Sequence, residues 1–213
     1  MQKDSSATSE NTGSGTIYLL MGRSSAGKDR MYRELLADGS LRLRHVVLYT
    51  TRPMRDGEEQ GSQYHFVDEA AYARMREEGR IIEERTYQTM AGPWRYFTAD
   101  DGQIDLAAAD YLMIGTPEAA KSLRAYFGEA AVEPLYIETD EGILLERALH
   151  RERRQEHPRY DEMCRRFLAD REDFSEEHLA EAGVTHRFTN NGEPEACVEA
   201  LRAYIKGKTW TSA

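Results

Sequence analysis

The run Gly22-Arg23-Ser24-Ser25-Ala26-Gly27-Lys28 follows the apolar stretch Ile17-Tyr18-Leu19-Leu20-Met21 and precedes Met31-Tyr32-Arg33-Glu34-Leu35-Leu36, whose apolar residues have helical spacing. A strand, a glycine-bounded loop ending in lysine and a helix, in that order, form a phosphate-binding loop. Glycines let the backbone curl so that successive N–H groups point inward, and the helix N-terminus adds its positive dipole end. Lys28 then faces the terminal phosphates as a compact charge. Gly22, Ser24, Ser25, Ala26, Gly27, Lys28, Asp29 and Arg30 are the candidate nucleotide-binding residues. Asp29 stands where such loops carry the Ser or Thr hydroxyl that ligates magnesium. A carboxylate can also hold that ion, directly or through water, which makes Asp29 the candidate metal residue.

Beyond the loop, apolar runs alternate with helical patterns, as in a parallel sheet covered by helices. Strands are expected at 45–49, 111–114, 134–137 and 185–188, with 64–67 and 80–87 extended. Asp68 reads as an N-cap and Gly79 as a stop for the helix between them, and Pro117 and Asp140 open two more helices. Further helices are expected over about 141–154, 160–171 and 195–205, and Asp101-Gly102 marks a tight turn. Residues 50–98 interrupt the rhythm and read as an inserted binding subdomain. The expected organisation is a disordered tail over 1–15, one α/β domain over 16–206 with its core in 16–49 and 99–206, and a short tail over 207–213.

The insertion opens with Thr50-Thr51-Arg52-Pro53-Met54-Arg55-Asp56-Gly57-Glu58-Glu59-Gln60-Gly61-Ser62-Gln63-Tyr64-His65-Phe66. Two guanidinium forks and a phenol suit a compact dianionic phosphate, and Glu58 can orient an arginine. Here the chain resembles the guanylate kinase family, whose monophosphate-site signature T-T-R-x-x-R-x-G-E-x-x-G-x-x-Y-x-F this segment matches. The resemblance extends over about residues 16–206 and is close at the two motifs. It implies a phosphate-binding-loop NTPase fold with an inserted acceptor-binding subdomain and a helical lid over about 147–166. It further implies transfer of a phosphoryl group from ATP to GMP, with ATP and Mg2+ as cofactors. Arg52, Arg55, Glu58 and Tyr64 would serve the acceptor phosphate, and Glu83 would accept from the guanine N1 and exocyclic amine. Arg147, Arg151 and Arg166 fall nearest the lid arginines that close over the transferring group, with Arg153, Arg154 and Arg165 as neighbours able to serve instead. Asn190-Asn191-Gly192 matches a loop beside the adenine.

The chain also departs from that pattern. Ile114 and Thr116 occupy the central-strand positions of two aspartates, Leu48 and Tyr49 stand near an expected guanine-contacting serine, and Trp94, Arg95 and Tyr96 stand in for a tyrosine pair. Ribose 1,5-bisphosphate phosphokinases resemble this chain in having Asp after the loop lysine and in lacking the paired acids. A sugar phosphate is therefore the second candidate acceptor, and a non-catalytic binding module of the same fold is the third reading.

With 38 acidic against 28 basic residues, the net charge of −10 argues against nonspecific nucleic-acid binding. No apolar run approaches the roughly 20 residues that span a bilayer, and the polar N-terminus lacks a signal-peptide core. Cys164 and Cys197 lack metal-ligand spacing and read as reduced thiols. The expectation is a cytoplasmic protein acting on small-molecule nucleotides, without nucleic-acid or membrane partners, as a monomer or homodimer.

Overall fold

The computed structural model describes residues 15–89 and 92–209. The expected N-terminal tail up to residue 14, Met90, Ala91 and the last four residues lie outside the described residues. Gly15, placed in that tail by its composition, is ordered against the core: its N–H donates to the Leu106 carbonyl at 2.8 Å.

Five strands form a wholly parallel central sheet: β1 (Ile17–Met21), β2 (Arg44–His45), β7 (Tyr111–Ile114), β8 (Val132–Glu138) and β9 (His186–Thr189), in the order β2-β7-β1-β8-β9. Because β1 is flanked on both edges and covered on both faces, all five of its residues are buried, and its apolar run is continuous rather than alternating. Tyr18 and Leu20 point into one cluster with Met31, Leu35, Leu135 and Leu201. Ile17, Leu19 and Met21 point into the opposite one with Met113, Leu123 and Leu179. The helices are α1 (Lys28–Ala37), α2 (Glu69–Glu77), α3 (Pro117–Phe127), α4 (Glu141–Arg153), α5 (Tyr160–Asp173), α6 (Glu176–Glu181) and α7 (Pro194–Thr209). The six-residue α6 gave no sequence signal, and α7 continues through Thr209, so 207–209 belong to the domain and not to a tail.

A second, mixed sheet has the order β4-β3-β6-β5, from β3 (Tyr49–Thr50), β4 (His65–Phe66), β5 (Ile81–Thr89) and β6 (Gly92–Ala99). It carries its own small core, with Tyr72 and Met75 of α2 against Phe97 and Ala99. Asp68 caps α2 by accepting from the Ala71 N–H at 2.7 Å, and Gly79 takes the left-handed conformation (φ 69°) just beyond the helix.

The strand expected over 45–49 is divided. His45 pairs with Leu112 in the central sheet, and Tyr49 pairs with Phe97 in the second. Between them the Gln103 side chain replaces a strand partner: its Oε1 accepts from the Val47 N–H at 2.9 Å and its Nε2 donates to the Val47 carbonyl at 3.1 Å. An apolar run shows that these residues are buried, not which sheet holds each peptide.

Candidate active site

The glycine loop joins the C-terminal end of β1 to α1 at the middle of the parallel sheet, where open α/β sheets place ligands. Gly22 has φ 156° and a Cβ there would meet the Ile137 carbonyl at 2.8 Å, so the loop backbone approaches β8 as only glycine permits. Ser25 (φ 68°) and Gly27 (φ 94°) adopt left-handed conformations, which curl the peptides into a concave nest. Ala26 is buried; its N–H donates to the Arg23 carbonyl at 3.1 Å, and its carbonyl accepts from Asn190 Nδ2 at 2.7 Å. Asn190, matched in sequence to an adenine-side loop, thus braces the loop from behind.

Lys28 folds back onto the loop, donating to the Gly22 carbonyl at 2.5 Å and the Arg23 carbonyl at 2.9 Å. Burial pushes its ammonium below the ordinary lysine range; Asp170 and Asp29 oppose that shift and Arg151 reinforces it. An incoming polyphosphate restores charge balance and raises the lysine again. ATP affinity is therefore expected to be greatest below the depressed lysine pKa and to fall as pH rises through it, with proton uptake on binding in that range. Calorimetry in buffers of different ionisation enthalpy measures that uptake; none across the alkaline range would contradict it.

The loop N–H of Ser24 donates to Asp170 Oδ2 of α5, so an internal carboxylate sits in the anion nest. Arg23, 9% exposed, ties the same loop to α4 and α5. Its guanidinium donates to Glu141 Oε1 at 2.8 Å and to the Phe167 carbonyl at 3.4 Å, and lies 4.6 Å from the Phe167 ring centroid. Neither Arg23 nor Asp170 stands out in sequence: Arg23 fills an unspecified position of the loop motif, and Asp170 is one charge among many on α5. Asp170→Asn is expected to tighten ATP binding by about tenfold, the worth of a charge-assisted hydrogen bond that phosphate must displace. Equal or weaker binding by titration calorimetry would show that the carboxylate does not compete.

The cleft between α4 and α5 beside the loop is lined by Ser24, Arg151, Arg159, Glu162, Arg166 and Phe167. It brings together Arg151 and Arg166, two of the three proposed lid arginines, and adds Arg159. Arg166 Nε donates to Glu162 Oε1 at 2.7 Å, and the hydrogen bonds of Arg165 and Arg166 pull the Glu162 carboxyl down to about 2. Arg147, half-buried on α4, makes no ion pair among the described residues and does not line this cleft. The Arg30 side chain does not join the phosphate loop. It binds Glu34 and Glu195, tying α1 to α7, and its N–H donates to the Gly27 carbonyl within the first helical turn.

Asp29 is exposed at the start of α1, and its carboxylate makes no hydrogen bond among the described residues. No cluster of three or more metal-ligating side chains occurs among them either. This donor set fits magnesium, which keeps several waters and takes one or two carboxylates alongside substrate phosphates. At the end of β7, Thr116 accepts from the Ala119 N–H at 3.3 Å to cap α3, and Ile114 packs on the core. Both positions serve the fold.

The Thr50–Phe66 segment assembles on the second sheet. Thr50 Oγ1 donates to the Arg95 carbonyl at 2.8 Å and Thr51 Oγ1 accepts from the Arg95 N–H at 3.1 Å, anchoring the segment to β6. Arg52, 4% exposed, is held bidentately by Glu58 at 2.7 and 3.0 Å. The Glu58 carboxyl lies well below its usual range through Arg52 first and the Arg55 N–H second. Tyr64 and Phe66 flank the Arg52 guanidinium at 5.7 and 5.4 Å from their ring centroids. Burial raises the Tyr64 phenol, against the charges of Arg52 and Arg85. The Arg55 guanidinium is exposed and unbonded among the described residues. Tyr96 packs edge-on against Tyr64 with centroids 5.5 Å apart, whereas Arg95 turns to the other face, onto Glu69 and the Tyr72 ring. Strand alternation thus sorts the Trp94-Arg95-Tyr96 run and delivers one phenol, Tyr96, to the site. Glu83, 5% exposed, accepts from Thr98 Oγ1 at 2.8 Å through Oε1, while its Oε2 has no hydrogen-bond partner.

Sheet order, nest and the flanking helices α4 and α5 define a phosphate-binding-loop NTPase domain, with a second cluster of charged and aromatic side chains on an inserted sheet. A family profile described as guanylate kinase matches residues 14–93. The chain is similar to a guanylate kinase of Chromohalobacter salexigens, 36% identical over 117 residues that cover 54% of this chain and 53% of that one. It is also similar to a guanylate kinase of Methylobacillus flagellatus, 28% identical over 197 residues covering 91% and 90%. The match thus spans about half the length of the first relative and nearly all of the second. The crystal structure of guanylate kinase from Anaplasma phagocytophilum shares the fold with a TM-score of 0.59, at 16% identity, over 91% of this chain and 86% of that one. The profile over the N-terminal part and the curated relatives support the guanylate kinase family for this chain.

Proposed function

We propose that the protein transfers the terminal phosphoryl group of ATP to the phosphate of GMP, giving ADP and GDP, as a cytoplasmic enzyme of small nucleotides. The observation that carries this reading is a shared sheet face. The Arg52–Glu58 clamp with Tyr64 and Tyr96 offers a phosphate seat, and Glu83 on the same sheet keeps one buried carboxylate oxygen without a partner. A carboxylate so placed accepts from the guanine N1–H and N2–H and has nothing to accept from adenine N1.

An oxygen of the GMP phosphate, already anionic, forms the new P–O bond as the bond to the ADP bridging oxygen breaks, so no strong base is required. Loop amides and Lys28 hold the donor phosphates. Arg151, Arg159 and Arg166 supply charge from the lid to the equatorial oxygens of the transferring group. A magnesium ion held by Asp29, phosphate oxygens and water would neutralise the donor phosphates.

A coupled assay of ADP formation against GMP, AMP, IMP and ribose 1,5-bisphosphate, with magnesium and manganese compared, tests the reading. GMP-dependent ADP release is expected. Turnover of the sugar bisphosphate alone would move the acceptor to that class, and no turnover with intact ATP binding would leave a binding module.

A further inference from the structure

Glu83 and Arg85 stand two residues apart on β5, an edge strand of the second sheet. Arg85 Nε lies 3.6 Å from Glu83 Oε2, beyond hydrogen-bond range, and both atoms are buried without a hydrogen-bond partner. Buried polar atoms are rarely left so, since each unmade bond carries a desolvation cost. Arg85 also lines a cleft between the inserted sheet and the core, with Thr116, Pro117, Lys121, Asp173 and His178. Arg85 stands opposite Tyr96, which packs against Tyr64, and Glu83 stands opposite Thr98, so along that strand pair Arg85 lies toward the phosphate seat and Glu83 beyond it.

A donor and an acceptor side by side call for a ligand edge offering the complementary pair. A second phosphate beside Arg85 would lie against the Glu83 carboxylate and share the cleft with Asp173. A neutral lactam edge meets both atoms without that repulsion: its carbonyl accepts from Arg85 and its N–H donates to Glu83. Guanine presents this order at O6 and N1. Adenine presents the reverse, an amino group toward the guanidinium and a lone pair toward the carboxylate. We infer that Arg85 reads the 6-carbonyl of the acceptor base and, with Glu83, sets the preference for 6-oxopurines over adenine. This rests on the GMP reading above and adds to it a residue that neither the Thr50–Phe66 signature nor the phosphate loop contains.

The test compares kcat/KM for GMP, AMP and 6-thioguanosine monophosphate in the wild type, Arg85→Leu and Arg85→Lys. The thio analogue keeps N1–H but offers a weak sulfur acceptor in place of O6. Arg85→Leu is expected to lower kcat/KM for GMP by roughly 10- to 100-fold through KM, with ATP affinity unchanged and AMP turnover equal or higher, since the guanidinium no longer opposes the adenine amino group. The wild type should prefer GMP to the thio analogue by about tenfold, and Arg85→Leu should not discriminate. Arg85→Lys should recover part of the loss. A GMP-to-AMP ratio unchanged in Arg85→Leu, with GMP still a substrate, overturns the inference and leaves the proposed function standing. If Arg85→Leu does not fold, equal use of GMP and the thio analogue by the wild type overturns it alone. No GMP turnover by the wild type overturns the proposed function itself, and this inference with it.

Discussion

Replacing Lys28 with alanine is expected to lower phosphoryl transfer by roughly 10³-fold, the upper range for one preorganised charge at a reacting centre. Two losses combine. The ammonium is a buried cation at the nest, and it also closes the loop by holding the Gly22 and Arg23 carbonyls. Its removal should therefore weaken ATP binding as well as lower kcat. Lys28→Arg should rescue poorly, because a planar guanidinium cannot make the same turn between two carbonyls. ADP release at saturating acceptor, with ATP affinity measured separately, separates the two losses. More than a tenth of wild-type turnover in Lys28→Ala would place the essential charge elsewhere, in the lid.

Arg52→Ala is the complementary case. It should raise the acceptor KM by about 100-fold or more, on the scale of a buried charge-assisted pair, while ATP affinity stays as it was. The two sites draw on different sheets, and the Arg52 partners lie on the second sheet: Glu58, the Pro53 carbonyl, Tyr64 and Phe66 in its own segment and Tyr96 on β6. Arg52→Lys should recover little, since a single ammonium cannot grip both Glu58 oxygens. Initial rates against acceptor concentration, with ATP titrated calorimetrically, check this. A parallel fall in ATP affinity would mean that the clamp supports the whole domain and not one site.

Much of this was legible in the chain because it is local. The loop and its flanking strand and helix lie within 21 residues from Ile17 to Ala37, and the cluster of Arg52, Glu58, Tyr64 and Phe66 is drawn from the Thr50–Phe66 segment. What escaped is set by partners distant in sequence. Nothing near Ser24 announces that Asp170 sits against its amide. Nothing near Arg30 announces Glu195, so adjacency to the loop suggested a phosphate ligand where the fold uses a helix tie. Arg85 has no outward signal at all, being one more charge on a strand whose facing is fixed only by pairing with β6. The departure at Thr116 has a local cause, since its hydroxyl caps α3.

The Gln103 bridge has a mechanical consequence. The chain passes from the central sheet to the second near Val47 and returns near Asp101, and at that place the two passages are stitched together. Gln103 grips the Val47 peptide, Asp101 accepts from Gln103 Nε2 at 2.6 Å, and the Tyr49 phenol donates to the same Asp101 oxygen at 2.7 Å. Tied there, and packed through Ile82 of β5 on the central core, the inserted sheet is fixed at its root. A side-chain amide thus stands in for a strand partner where the backbone leaves one sheet for the other, and the small core of Tyr72, Met75 and Phe97 sits beyond that joint with packing of its own.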